Sequence, residues 1–287
     1  MLIRIGYDIV IDSPAAVPML LMLYTHPSRA GSLKKPEQIK FEPKIPVQEY
    51  IDSFGNRCGR IVAPEGQLRL WNDVLIEDSG QPDPVNWNAT ECPVSDLPSE
   101  TLQYLLGSRY CEVEKLSEIA WQLFGQISPG WARVQAVCDW IHENIRYGYG
   151  YTHLGKTAYD VYTEKAGVCR DFAHLAVTFC RCLNIPARYA AGYLGDIGVE
   201  PLLTPMDFHA WFEVFLDRQW YTFDARHNVP RIGRVLMARG RDAADIALMT
   251  SFGAYDLVKF KVWADEVQSS VEEVVASKSQ QSQSIAA

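Results

Sequence analysis

Gly167-Val168-Cys169-Arg170-Asp171-Phe172-Ala173-His174 places a cysteine where a glycine turn becomes a helix. The apolar pattern that follows predicts a helix from about Cys169 to Leu183, with Asn184 and Pro186 ending it. The first helical turn carries unpaired backbone N–H groups and the positive end of the helix dipole. Both favour a thiolate over a thiol, and the same amides suit an oxyanion. A thiolate nucleophile also needs a general base, ordinarily a histidine, and that histidine needs a carboxylate or amide to fix its tautomer.

The partners lie downstream. Phe208-His209-Ala210-Trp211-Phe212-Glu213-Val214-Phe215-Leu216 and Gln219-Trp220-Tyr221-Thr222-Phe223-Asp224 flank a tight Asp217-Arg218 connection and read as a hairpin. If Leu216 pairs with Gln219, Trp211 falls opposite Asp224 and His209 lies two residues further along the face of Trp211. His209 and Asp224 are then diagonal neighbours, roughly 7 Å apart between backbones and within side-chain reach. A three-residue loop would shift the register by one and remove this pairing. His174 lies five residues after Cys169, about 140° around the helix, and faces elsewhere. His142 reads as solvated on the polar side of its helix, while His153 and His227 sit in loops suited to lining a cleft.

Around this core the chain divides in two. Up to about residue 95, short alternating runs such as Ile3, Ile5, Tyr7, Ile9 and Ile11 are separated by Gly, Pro and Asn, and Asp52-Ser53-Phe54-Gly55-Asn56 reads as a hairpin turn. This predicts an antiparallel, sandwich-like β-domain over residues 1–95. Gln81-Pro82-Asp83-Pro84, Cys92-Pro93 and Leu97-Pro98 then mark a boundary. Residues 96–267 read as α+β: helices around Val113 to Leu123 and from Ser128-Pro129 onward, the Cys169 helix, then strands at Ala187 to Leu194, in the hairpin and at Leu257 to Trp263. The Ser- and Gln-rich tail, 268–287, reads as disordered.

The composition narrows the function. With 27 basic and 35 acidic residues the net charge is −8 and neither sign forms a long run, which argues against nucleic acid as a partner. No apolar stretch is long enough for a membrane span, and Ala15 to Tyr24 lacks the basic flank of a signal peptide. Seven scattered cysteines argue against a disulfide framework, and a cytoplasmic location is expected. Cys180 and Cys182 point apart on a helix and have no second ligand pair at zinc-like spacing, so no metal site is expected. Tyr147 and Tyr149, alternating with Gly148 and Gly150, fit either a cleft wall or ordinary packing.

These residues resemble the transglutaminase-like superfamily, in particular its bacterial transglutaminase-like cysteine protease branch. The resemblance rests on Gly167 to His174, Leu183-Asn184-Ile185-Pro186-Ala187-Arg188-Tyr189, Phe208-His209-Ala210-Trp211 and Phe223-Asp224, and spans roughly Trp131 to Asn228. Asp52 to Asn56 and Gly240-Arg241-Asp242-Ala243-Ala244-Asp245 are weaker matches outside it. It implies a papain-like core with Cys169 as nucleophile, His209 as base and Asp224 as orienting carboxylate, acting on a peptide or protein without a cofactor. Arg170 stands where many relatives carry glutamine. Arg170, Tyr147, Tyr149 and His227 are the candidate substrate contacts. The residues leave three outcomes open: hydrolysis of an amide, transfer of the acyl group to a primary amine, or a binding module that keeps the fold without turnover.

Overall fold

The computed structural model describes residues 1–201 and 205–267, and the tail expected to be disordered lies outside them. The first half contributes β1 (Leu2–Ser13), β2 (Val17–Leu21), β3 (Lys40–Glu42), β4 (Gln48–Ile51), β5 (Arg57–Ala63) and β6 (Gly66–Glu77). Next come the short helix α1 (Ser99–Leu102), α2 (Val113–Phe124), α3 (Trp131–Asn144), β7 (Arg146–Tyr147), α4 (Ala158–Glu164), β8 (Ala166–Gly167) and α5 (Cys169–Cys182). The remaining strands are β9 (Ala187–Leu194), β10 (His209–Leu216), β11 (Gln219–Phe223), β12 (Arg234–Gly240), β13 (Met249–Ser251) and β14 (Asp256–Glu266). No described helix is long and apolar enough to cross a membrane.

Three antiparallel sheets result, ordered β14-β1-β6-β3, β13-β2-β5-β4 and β11-β10-β9-β12. The architecture is α+β, as the sequence predicts. The strand expected at Leu257 to Trp263 does not join the sheet of the second half. β14 instead pairs antiparallel along β1, with Tyr7 opposite Val262, and β13 pairs with β2. The inward positions Ile3, Ile5, Ile9 and Ile11 are matched by Val262 and Ala264, whereas Lys259, Lys261 and Asp265 take the other face, where Lys259 meets Asp8. Local alternation identified the strand; only the burial available beside β1 determined its sheet.

The two halves share one interior. Ile5, Tyr7 and Leu70 pack in the same apolar cluster as Tyr193, Phe208, Val235 and Met237. A polar latch adds to this. Asn56, fully buried at the end of the Asp52 to Asn56 turn, donates to the Arg239 carbonyl at 2.8 Å and accepts the Arg239 N–H at 2.8 Å. The helix expected from Ser128-Pro129 begins later, at Trp131, with Gly130 at φ 98° as its N-cap residue. The carboxylate of Glu91 accepts the Gly130 N–H at 2.9 Å and pairs with Arg133, so a side chain from the linker replaces the expected hydroxyl cap.

Candidate active site

Cys169 is the first residue of α5, whose buried face, including Phe172, Leu175, Ala176 and Phe179, packs into the core of the second half. The buried Asp171 folds back so that its carboxylate accepts the Val168 N–H at 3.0 Å, fixing the turn that presents the thiol. Gly167 is required by this arrangement, because a Cβ there would lie 2.6 Å from Cβ of Asp171. Cys169 is half-buried and the other six cysteines are also free. Burial pushes the thiols of Cys58 up to about 11 and Cys182 up to about 12, and raises those of Cys111, Cys138 and Cys180.

The β10–β11 hairpin has the register expected from its two-residue turn, Leu216 opposite Gln219, with Asp217 and Arg218 both at positive φ. Phe212 pairs with Phe223, so Asp224 emerges one residue beyond the strand. Nε2 of His209 then lies 2.6 Å from Oδ2 of Asp224, both groups buried. The carboxylate can only accept, so Nε2 donates, which leaves Nδ1 for a second partner, and Cys169 lines the same cavity as His209. Burial opposes a charged imidazole, yet Asp224 and then Cys169 outweigh it and raise the His209 pKa. Burial likewise opposes the Asp224 charge, but His209 and Arg234 hold its carboxyl well below the usual carboxylate range.

Asp224 is also held by groups that local sequence reading does not connect to it. Its Oδ1 accepts the N–H groups of Arg226 at 3.1 Å and His227 at 3.2 Å. Arg234, at the start of β12, lies 3.4 Å from Oδ2 and is anchored by Asp83 at 3.0 Å, while its guanidinium covers the Trp211 ring at 4.7 Å. Asp83 belongs to the proline-rich stretch read as a linker, so nothing in its local pattern marks it. The only signal for Arg234 is a charge opening an apolar strand.

The other candidate contacts separate. Tyr147, Tyr149 and His227 line a cavity of about 440 Å³ that opens on Cys169 and His209. Tyr147 pairs with Gly167 through the β7–β8 ladder, and Arg226 covers its ring at 3.8 Å. Arg231 donates to Nδ1 of His227 at 3.2 Å. Burial, with the nearby His209, Arg226 and Arg231 outweighing Asp224, pulls His227 down to about 3. Arg170 is engaged within the protein, with Asp171, the Thr152 hydroxyl at 2.8 Å and the His153 carbonyl at 2.8 Å. It ties the loop carrying Tyr149 to α5. His174 faces away from Cys169, stacked on Tyr110 at 5.0 Å and fully buried.

His209, Asp224 and His227 bring metal-ligand atoms within 4.8 Å of one another. Both oxygens of Asp224 and Nδ1 of His227 are already engaged, and Arg231 and Arg234 add positive charge. Such surroundings oppose a divalent cation.

Two buried histidines, His26 and His174, and the half-buried His227 are held neutral and make the fold acid-sensitive. Burial lowers His26 to about 4, His227 to about 3 and His174 well below its ordinary value. Between these folded values and the unfolded value near 6.5, the unfolded chain binds more protons, so stability falls with pH. Thermal melts are expected to decline steadily from about pH 6.5 to pH 4. A flat midpoint across that range would contradict the assignment.

A cysteine at a helix start and a histidine–aspartate pair beside an antiparallel sheet thus border one cleft of an α+β fold. The chain belongs to the transglutaminase-like superfamily. The family model of that description matches residues 118–225. A solved structure of a candidate cysteine protease from Cytophaga hutchinsonii superposes with a TM-score of 0.81 at 32% identity, covering 94% of this chain and 92% of that one. An uncharacterized protein of Mycobacterium leprae is 25% identical over 264 residues, covering 88% of this chain and 93% of its own length. Uncharacterized proteins of Mycobacterium tuberculosis and Mycobacterium bovis are 30% identical over 115 residues, 37% of each chain.

Proposed function

We propose that this chain is a thiol-dependent amide hydrolase acting on peptides or proteins. The observation that carries the reading is the 2.6 Å contact between His209 and the buried Asp224, with the imidazole's other nitrogen left for Cys169 at a helix start. The Cys169 thiolate attacks the amide carbonyl carbon, and the electron pair displaced onto oxygen is held near the backbone amides at the start of α5. As the intermediate collapses, the C–N bond breaks and His209 delivers its proton to the leaving amine, leaving a thioester. Water, deprotonated by His209, then releases the acid and restores the thiol. Asp224 keeps the imidazole in the competent tautomer and stabilises the imidazolium. The free cysteines suit a reducing compartment such as the cytoplasm.

A second reading has a specific observation behind it. Asp207, Asp265 and Glu266 line the cavity beside Cys169 and would draw in a cationic primary amine, which would resolve the thioester as a new amide. One experiment separates the readings. Wild-type protein and Cys169→Ala are incubated with a peptide library, with and without a primary amine, and analysed by mass spectrometry. Cleavage or deamidation that needs Cys169 is the expected result, and amine adducts would favour transfer. No Cys169-dependent product, together with slow alkylation of Cys169 at neutral pH, would overturn both and leave a binding module.

A further inference from the structure

The cleft has a second arm. A cavity of about 480 Å³ also opens on Cys169 and His209 and continues along a different set of residues, within the ~300–1,000 Å³ range of sites that bury ligand groups. Its lining is largely apolar and includes Ile246, Leu248, Met249, Tyr255, Phe260 and Tyr149. Its floor is built from alanines, Ala191, Ala210 and Ala243, whose small side chains leave the volume open. Charge is scarce here. Arg170 is committed to Asp171, Thr152 and His153, and Asp207, whose carboxyl burial raises, accepts its neighbour's N–H at 2.6 Å. The rim exposes Leu154 (86%) and Phe260 (39%), large apolar side chains that a globular surface seldom groups beside a cavity.

We propose that this arm is the specificity pocket of the site and takes a large apolar side chain, aromatic or branched aliphatic, from the peptide whose amide lies over Cys169. The inference rests on the acyl-transfer reading and deepens it. The occupant follows from continuity: a chain crossing Cys169 must enter one arm or the other. The apolar arm rewards burial of a hydrocarbon side chain, whereas the arm lined by Asp265 and Glu266 favours polar or cationic groups. Most of the apolar wall lies outside the segment that holds the triad. Met249 and Phe260 belong to β13 and β14, the strands that complete the two sheets of the first half. The β-rich half therefore selects substrate as well as packing against the catalytic sheet.

The test uses Ala247→Trp, which fills the arm from a half-buried loop position, with thermal melts as a control for folding. Two readouts are taken. In the peptide library, products are expected to be enriched in Phe, Tyr, Leu or Ile at one fixed position relative to the cut. Ala247→Trp should lower kcat/KM for those peptides by about tenfold or more and for their alanine counterparts far less. In parallel, the rate of Cys169 labelling by N-benzyl iodoacetamide relative to iodoacetamide should fall in Ala247→Trp. Cys169-dependent products without apolar enrichment would overturn the pocket and leave the acyl-transfer reading standing. No product at all would overturn acyl transfer, and the labelling ratio then decides the pocket alone: a ratio equal in wild type and variant rejects it. Should Ala247→Trp not fold, Met249→Ala, which widens the arm, is expected to shift preference toward bulkier side chains, and an unchanged preference rejects the proposal.

Discussion

His209→Ala is expected to lower Cys169-dependent turnover by roughly 10²–10⁴-fold, the span over which a positioned acid–base group contributes. The expectation follows from the proton inventory. Nε2 of His209 is committed to Asp224 at 2.6 Å, so Nδ1 is the nitrogen that remains for Cys169, which lines the same cavity. Without the imidazole, the thiol has no neighbouring acceptor for its proton and the leaving amine has no donor. The same variant should slow iodoacetamide labelling of Cys169 at neutral pH. Folding should survive, because Asp224 keeps Arg234 at 3.4 Å and the N–H groups of Arg226 and His227. Unchanged turnover with an unchanged labelling profile would show that the imidazole does not serve Cys169.

Arg234→Ala is expected to cost about 3–5 kcal/mol of stability, the range seen when one partner of a buried charge pair is removed. Its side chain is 7% exposed and lies between Asp83, 14% exposed, and Asp224, 3% exposed. Deleting the guanidinium leaves two carboxylates with less compensation and uncovers the Trp211 ring. At about 2–4 °C per kcal/mol, the melting temperature should fall by on the order of 10 °C. The pH dependence has a definite sign. The Asp224 carboxyl is depressed in the folded state, so its contribution is complete above the ordinary carboxylate range and is lost as pH falls below it. His209 is raised, so its contribution is complete below about pH 6.5 and is lost as pH rises through its folded value. Removing Arg234 weakens the hold on ionised Asp224, so its acid limb should move to higher pH. A melting temperature within about a degree of wild type would show that Arg234 is not the counter-ion the distances indicate.

The parts of the site that were legible in the sequence are those whose geometry is local. The start of α5 follows from a glycine turn leading into an apolar helical run, and the His209–Asp224 pairing follows from strand alternation across a two-residue turn. Hairpin register is carried by neighbours in sequence, so residues fifteen apart can be assigned to the same face. Tyr147, Tyr149 and His227 were legible only as candidates, and the structure sets all three around the cleft. Arg170 carries a charge beside the thiol in sequence, yet its guanidinium turns to the 152–153 loop because Asp171, Thr152 and the His153 carbonyl together satisfy it.

By itself, then, the sequence determined a thiol at a helix start, a histidine–aspartate pair at one end of a hairpin, and an α+β class with a β-rich first half. Those features depend on periodicity, turn chemistry and short-range register. The tertiary structure alone decided that β14 returns to β1, that Asp83 reaches Asp224 through Arg234, and that the cleft divides into a carboxylate-lined arm and an apolar one. Each of these joins segments far apart in the chain. What selects such contacts is the burial of a whole strand face or the pairing of a buried charge, and neither quantity exists until the chain has folded around it.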